Sequence, residues 1–459
     1  MNSVNVDPPS LSHCSDSKQP LKLSKTVAIA TMGCKVNAFE SELLSQKLSD
    51  MAYRRVQRTE SADVFLINTC TVTAEADRQA RQQVRRAIRA NPDAWVVVTG
   101  CYAQVDPEAC ARIPGVDLVV GNSRKLDIPA LLESLYAGEL PPVMVNDVDT
   151  EISLPDQLVS GFEGRTRAFV QIQQGCDQGC TFCIIHTARG PNRSFAPTLI
   201  KRQVERLVLN GYREIVLCGV DIGSYGSDFA GDFDLAALLH ELRELPGDFR
   251  LRLSSIDPAH ISDRLINCMT DDHMICPQLH LSLQSGNTLI LKRMKRRATR
   301  DVLYERIGAI RKSIPELILS ADVMVGFPTE SDAHFAQTLA AVHELEVPFP
   351  HVFSYSQRPG TPAARIPRQV LAPVKKLRAQ QIRAAGRKVW REVAQRLVGT
   401  TQRVLLEDAA SDANGEMLRA RAANYFTVFL ESAESDSNGW QNVEITGFGK
   451  DSLIARRST

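Results

Sequence analysis

The sequence has almost no net charge, no long apolar run and no apolar leader. Lys and Arg total 54 against 53 Asp and Glu, a formal charge of +1. Any grip on nucleic acid must therefore come from local basic patches and not from a global field. Nowhere does an apolar stretch approach the length of a membrane span, which speaks against a membrane partner. The first 25 residues are polar and rich in Ser, Pro and Lys, and without an apolar core they read as a disordered tail. The eleven cysteines are odd in number. With no signal peptide they argue against a disulfide framework and for a reducing, cytoplasmic setting in which thiolates bind metal. What the chain does have is size: 459 residues, 44% of them hydrophobic, enough for two or three domains with sizeable cores.

The most specific pattern is Gly175-Cys176-Asp177-Gln178-Gly179-Cys180-Thr181-Phe182-Cys183, a C-x3-C-x2-C loop. Three thiolates on one short loop can hold three irons of a 4Fe-4S cluster and leave the fourth without a protein ligand. The amine and carboxylate of S-adenosylmethionine (SAM) can fill that open iron, and the cluster's electron then splits the sulfonium. Zinc is the other reading of close cysteines. Zinc ribbons, however, usually present paired C-x2-C units and a fourth ligand, and none lies nearby.

From residue 26 to 135 one unit repeats: an apolar strand, a cysteine, then a helical stretch. Val27 to Thr31 leads to Cys34, Val64 to Ile67 leads to Cys70, and Trp95 to Thr99 leads to Cys101, with a fourth strand at Val116 to Val120. This predicts a parallel α/β sheet with helices on both faces, in which ligands collect beyond the carboxyl ends of the strands. A lone cysteine there is most often a small buried hydrophobe. Three in equivalent places read as ligands of a second cluster. Residues 136–160 read as a linker. From 161 to 393 the pattern is strand then helix six times over, which fits an open, partial (β/α)6 barrel with its first loop carrying Cys176, Cys180 and Cys183. Residues 394–459 show short β-like runs, Gln402 to Glu407, Tyr425 to Leu430 and Val443 to Ile445, and predict a small antiparallel β-barrel. Barrels of this size often bind single-stranded nucleic acid.

The motifs Thr-Met-Gly-Cys34-Lys-Val-Asn, Ile-Asn-Thr-Cys70-Thr-Val-Thr and Val-Thr-Gly-Cys101-Tyr-Ala-Gln resemble the amino-terminal domain of the radical SAM methylthiotransferases. The cluster loop with Ala188-Arg189-Gly190, then Ser282-Leu283-Gln284-Ser285-Gly286, Asp322 to Pro328 and Arg358 to Ala363, resemble that family's central domain. The carboxyl-terminal segment resembles its RNA-binding TRAM barrel. Gly-Cys-Lys-Val-Asn and His351-Val-Phe-Ser-Tyr-Ser356 are similar to the branch that acts on threonylcarbamoyladenosine in tRNA, whereas the isopentenyladenosine branch tends to Gln-Met after the first cysteine. Two residues depart from the family pattern. His186 stands where proline is usual, and Asp221 stands where an amide or histidine is common.

The resemblance implies a cytoplasmic tRNA-modifying enzyme that replaces the hydrogen on carbon 2 of N6-threonylcarbamoyladenosine, next to the anticodon, with a methylthio group. It implies two 4Fe-4S clusters, on Cys176, Cys180 and Cys183 and on Cys34, Cys70 and Cys101, together with SAM and an electron donor such as flavodoxin or ferredoxin. Phe182, Gly219, Gly223, Gly226 and Gln284 would contact SAM, although an aromatic before a buried cysteine and glycines in turns also serve ordinary packing. The runs Arg78 to Arg89 and Lys292 to Arg300 carry eleven cations and no anions. Lys292, Arg293, Lys295, Arg296 and Arg297 are the candidates for tRNA phosphate. His280 and His351 lie in apolar strands and read as core histidines. The neighbouring readings are a methylthiotransferase acting on isopentenyladenosine or on a ribosomal protein side chain and, from another class, a non-catalytic zinc-containing RNA-binding protein.

Overall fold

The computed structural model describes residues 25–58, 60–149, 158–270, 274–411, 417–431 and 439–458. Residues 1–24 of the polar amino-terminal segment lie outside them. The first layer is a parallel sheet in the order β2-β1-β3-β4-β5-β6, built from β1 (Thr26–Thr31), β2 (Arg54–Val56), β3 (Val64–Thr69), β4 (Trp95–Gly100), β5 (Leu118–Val120) and β6 (Val143–Met144). β3 and β4 are central and almost wholly buried, as continuous apolar runs in a doubly covered sheet should be. β6 falls in the segment expected to be a linker, and it extends the sheet by pairing Val119 with Val143 and Val120 with Met144. Two residues are too few to leave a periodic signal.

Helices α1 (Lys35–Asp50), α2 (Ala74–Ala90), α3 (Cys101–Val105), α4 (Pro107–Ala111) and α5 (Ile128–Tyr136) cover the two faces. In α2, Thr73 caps the first turn, Ala80, Val84 and Ala87 are buried, and Arg85, Arg86 and Arg89 point to solvent. α1 is different because it is apolar on two sides. Leu44 and Leu48 pack into its own sheet, while Val36, Phe39 and Leu43 belong to the core of the next domain.

That next domain is an open six-stranded parallel wall. β7 (Arg167–Gln171), β10 (Glu214–Cys218) and β11 (Arg250–Leu253) form one part. β12 (Ser255–Ile256), β13 (Gln278–Gln284), β14 (Ile318–Val325) and β15 (Phe349–Ser354) form the other. Only Ser254 separates β11 from β12, so the two count as one strand of the six. A short antiparallel pair, β8 (Gln173–Gln174) with β9 (Arg193–Ser194), ties the base of the cysteine loop. The helices between strands are α6 (Ile185–Arg189), α7 (Pro197–Leu209), α8 (Leu235–Arg243), α9 (Asp263–Thr270), α10 (Thr288–Arg293), α11 (Arg300–Ser313) and α12 (Asp332–Glu344).

The 26-residue helix α13 (Ala372–Leu397) follows. It packs so closely on β15 that a Cβ on Gly386 would sit 2.3 Å from Pro350. The last unit is a closed barrel in the order β16-β17-β18-β20-β19, made of β16 (Thr401–Ser411), β17 (Met417–Ala422), β18 (Thr427–Glu431), β19 (Trp440–Phe448) and β20 (Leu453–Arg457). The turn at Asp412 to Gly415 lies outside the described residues. A purely antiparallel barrel was expected, yet β18 and β20 run parallel. Five strands closed in a ring cannot all alternate in direction, so one parallel pair is unavoidable.

The barrel is docked against the amino ends of the central strands. Glu214, with no exposed surface, pairs with Arg250 at 2.6 Å and Arg252 at 2.7 Å. Both arginines donate onward to barrel carbonyls, Arg250 to Arg421 O at 2.9 Å and Arg252 to Ala423 O at 2.9 Å. Burial alone would raise the Glu214 carboxyl, but Arg252 and Arg250 outweigh it and hold it well below the ordinary carboxylate range. Among the described residues, no helix is long and apolar enough to cross a membrane.

Candidate functional site

The three amino-terminal cysteines stand at the ends of neighbouring strands: Cys34 after β1, Cys70 after β3, and Cys101 at the start of α3 after β4. Asn37 fastens the first two strand ends, because its amide donates to Met32 O at 2.7 Å and Thr69 O at 2.9 Å. Close approach requires glycine here. Gly33 has φ +85, and a Cβ on it would lie 2.8 Å from Cys70 Sγ. Gly100 has φ +94, and its Cβ would lie 2.4 Å from Thr69 O.

The second triplet occupies the loop between β8 and β9. Cys176 N–H donates to Gly190 O at 3.0 Å. Three N–H groups point at the sulfurs, those of Gln178 at Cys176, Ile185 at Cys183 and the Arg296 guanidinium at Cys180, each at 3.4 Å. Such donors favour thiolate sulfur. Against them, burial pushes the free thiols up, to about 11 for Cys176 and about 12 for Cys183 and Cys70. These sulfurs are therefore protonated near neutrality until a metal displaces the proton.

Both triplets open on one cavity of about 330 Å³, lined by all six cysteines. The other described cysteines, Cys110, Cys218, Cys268 and Cys276, do not line it. Three sulfur donors on each side, with amides aimed at the sulfurs and no further thiol among the described residues lining the cavity, fit a pair of iron–sulfur groups each with one iron left open.

Two buried arginines hold the domains together around the cavity. Arg189, at the end of α6, has a side chain 1% exposed and pairs with Glu40 of α1 at 2.7 Å. It also donates to Asn37 Oδ1 at 2.6 Å and Gln174 Oε1 at 2.9 Å. Lys125 reaches the same Glu40 carboxylate. Burial alone would raise the Glu40 carboxyl, but Arg189 and Lys125 override it and take it down to about 2. Beyond β15, Arg358 pairs with Asp77 of α2 at 2.7 Å and donates to Thr71 Oγ1 at 2.6 Å.

Among the residues expected to contact SAM, Phe182, Gly219 and Gln284 line the cavity. Gln284 sits at a register shift in β13 with φ +60, the kind of local strain that re-aims a side chain. Gly223 and Gly226 do not line it. A Cβ on Gly223 would lie 2.2 Å from the His260 ring, and one on Gly226 would lie 1.9 Å from Phe233 O, so packing explains both glycines. The basic run divides in the same way. Arg296 turns inward, with Nη2 2.7 Å from Asp257, and Arg297 pairs with Asp221 at 2.9 Å. Arg293 donates to Thr329. Lys292, Arg293 and Lys295 of the five candidates remain exposed and without an anionic partner among the described residues. The anions that occupy the others come from distant loops, which a local window cannot see.

Besides Asp221, two carboxylates line the cavity. Asp257 and Asp322 reach the cavity from β12 and β14. His280 and His351, expected to be core histidines, flank Asp322 at 3.1 and 3.8 Å. His280 is buried, but the His351 side chain is 49% exposed.

Residues 26–121 match the model of the uncharacterized protein family UPF0004, and residues 170–342 match that of the radical SAM superfamily. The chain is 39% identical over 412 residues to threonylcarbamoyladenosine tRNA methylthiotransferase MtaB of Bacillus subtilis, covering 89% of this chain and 91% of that one. It is 40% identical to MtaB of Rickettsia prowazekii, covering 83% and 87%. It is 33% identical to a tRNA-2-methylthio-N(6)-dimethylallyladenosine synthase of Pelotomaculum thermopropionicum, covering 88% and 92%. Among solved structures, the radical SAM methyltransferase TsrM of Kitasatospora setae superposes with a TM-score of 0.55 at 13% identity, over 84% of this chain and 79% of that one. That likeness concerns the fold.

Proposed function

The chain belongs to the radical SAM methylthiotransferases of the threonylcarbamoyladenosine tRNA branch, and we propose that its two cysteine triplets divide that branch's reaction between them. The enzyme methylthiolates carbon 2 of N6-threonylcarbamoyladenosine in tRNA, using SAM and 4Fe-4S clusters. Carbon 2 of an adenine carries neither an acidic proton nor a leaving group, so proton transfer and nucleophilic catalysis have no handle on it. When bound, the clusters and SAM supply the one-electron chemistry and the sulfur.

The chain's own residues hold, orient and insulate. Cys176, Cys180 and Cys183 would hold the SAM-cleaving cluster, and Cys34, Cys70 and Cys101 the cluster that carries the sulfur. The observation that supports this division is the single cavity onto which all six open. Arg296, fixed by Asp257, donates to Cys180 Sγ and so offsets negative charge on that loop. Gly219 keeps the backbone close to Gln173, whose side-chain oxygen accepts from the Val220 and Asp221 amides at 2.9 Å, and this would set the SAM side of the cavity. Val36, Val72 and Ile185 on the wall limit water around a reactive intermediate. Lys292, Arg293 and Lys295, with Arg85, Arg86 and Arg89 on α2, are exposed cations open to RNA phosphate. The chemistry consumes electrons, so the reading includes a low-potential donor of the flavodoxin or ferredoxin kind and, because its substrate is tRNA, the cytoplasm as its place of action.

The test is reconstitution under anaerobic conditions with tRNA bearing N6-threonylcarbamoyladenosine, followed by nucleoside mass spectrometry. The 2-methylthio nucleoside should appear with the parent and not with Cys176→Ala. Its appearance with Cys176→Ala at the parental rate would overturn the assignment of the central loop.

A further inference from the structure

The carboxylates on the wall of the cysteine cavity are not balanced alike. Asp221 pairs with Arg297 at 2.9 Å and Asp257 with Arg296 at 2.7 Å. Asp322 forms no ion pair with a Lys or Arg among the described residues. Instead two imidazoles converge on one of its oxygens, with His280 Nε2 at 3.1 Å and His351 Nδ1 at 3.8 Å from Oδ1. The three donor atoms all lie within 4.8 Å of one another.

The sheet register produces this meeting. His280 of β13 stands opposite Ser320 of β14, and Asp322 of β14 stands opposite His351 of β15. Ser320 and Asp322 are two residues apart and so share a face. The three side chains thus rise from three adjacent strands, a stiffer base than loops provide. His280 is also held from behind. Its Nδ1 lies 2.9 Å from Ser320 Oγ, and the same hydroxyl accepts from Gln278 Nε2 at 2.9 Å. Arg252 donates to Gln278 Oε1 at 3.1 Å, and because a guanidinium can only donate, it fixes which way that amide points. With Nδ1–H given to Ser320, Nε2 turns its lone pair toward Asp322. A lone pair facing a carboxylate oxygen is repelled unless a cation lies between them. A partner on the far ring nitrogen is the usual support of a metal-ligating histidine.

Two imidazoles and one carboxylate suit a divalent first-row ion of the zinc or ferrous kind, whereas calcium and magnesium prefer oxygen alone. In a tetrahedral zinc site, bonds of about 2.0–2.2 Å place the donor atoms roughly 3.4 Å apart, and the 3.1 and 3.8 Å separations bracket that value. Three protein ligands leave a coordination position open. It is reachable here, since Asp322 lines the cavity and the His351 side chain is 49% exposed.

We propose that His280, Asp322 and His351 bind a divalent transition-metal ion at the wall of the cavity, separate from both cysteine triplets. The ion outweighs the single carboxylate, so this part of the wall becomes positive and can take an anionic oxygen of an incoming group. The site does not depend on which nucleoside is modified.

The test dialyses the anaerobic holoenzyme, both clusters in place, against dilute zinc sulfate and counts zinc and iron per chain. The parent should take up about one zinc with its iron unchanged, and the zinc K-edge spectrum should show nitrogen and oxygen at about 2.0–2.2 Å without sulfur at about 2.3 Å. His351→Ala and Asp322→Asn should lose the bound zinc and keep their iron. Ser320→Ala, which removes only the outer partner, should weaken zinc binding roughly tenfold to a hundredfold. Histidines that merely hydrogen-bond to Asp322 would leave the parent without zinc, and that result overturns the proposal. Sulfur around the zinc overturns it too, since the ion would then sit on the cysteines. So does equal zinc uptake by the parent and His351→Ala. The parent's stoichiometry and spectrum decide the matter even where a variant fails to fold.

Discussion

Replacing Arg189 by Gln should loosen the seam between the first two domains more than any other single change there. The guanidinium is buried and meets Glu40, Asn37 and Gln174 at once. Its loss leaves Glu40 with Lys125 alone in a place closed to water. Breaking a buried pair from one side costs roughly 3–5 kcal/mol. The Glu40 carboxyl falls from its ordinary 4.5 to about 2 under Arg189 and Lys125 together, about 3 kcal/mol of stabilisation that the two cations share. The sign follows from the depressed value. This stability is fully present above about pH 4.5 and is lost as pH falls toward 2. The variant should therefore be weaker at neutral pH and should keep only the part of this acid-range dependence that Lys125 supplies. Hydrogen exchange reads the effect locally, since 3 kcal/mol corresponds to roughly a hundredfold change in protection. The increase should be confined to amides of α1 and α6. Unchanged α1 protection at neutral pH, or an acid profile parallel to the parent's, would refute the reasoning.

Three further outcomes are expected. Removing Cys34, Cys70 and Cys101 together should take away close to half the bound iron and abolish methylthio transfer, while deoxyadenosine is still released from SAM; unchanged iron would make the strand-end cysteines structural. Gly175→Ala places a methyl 1.8 Å from Pro191 O at φ +72, so the central loop should fail to take up its cluster, and a variant with parental iron content and SAM cleavage would contradict this. Glu214→Gln leaves Arg250 and Arg252 without their buried counter-charge, which should free the barrel at a cost of about 3 kcal/mol or more; limited proteolysis near Leu397 should speed up and tRNA affinity should fall, and identical digestion would count against the docking role.

Strong periodicity made the fold readable. β3, β4, β10, β13 and β14 are long, apolar and followed by turn residues, and their order leaves few topologies open. β6 and β20 were unreadable because one is too short and the other, Leu453-Ile454-Ala455 followed by two arginines, shows no alternation to mark it as a strand. α13 was missed because a long basic helix between two domains has little amphipathic contrast. The central cysteine triplet could be read locally, since it lies within a few residues, and the other three from their equivalent places after successive strands. Their meeting in one cavity could not, because it depends on Arg189 reaching across 149 positions to Glu40. The arginines of the Lys292 to Arg300 run looked free for the same reason. Asp221, Asp257 and Thr329 come to them only through folding.

Helix α1 has a consequence for how the chain can be divided. Val36, Phe39 and Leu43 complete the interior of the six-stranded wall, whereas Leu44 and Leu48 complete that of the sheet before it. Cutting anywhere near residue 150 therefore yields two incomplete halves. The carboxyl fragment keeps a greasy slot where three side chains should sit, and the amino fragment carries those side chains into water. Neither half can be shuffled onto another protein as a ready-made module without bringing a substitute for that one helix. Two compartments that share a wall must be inherited, and must fold, as one.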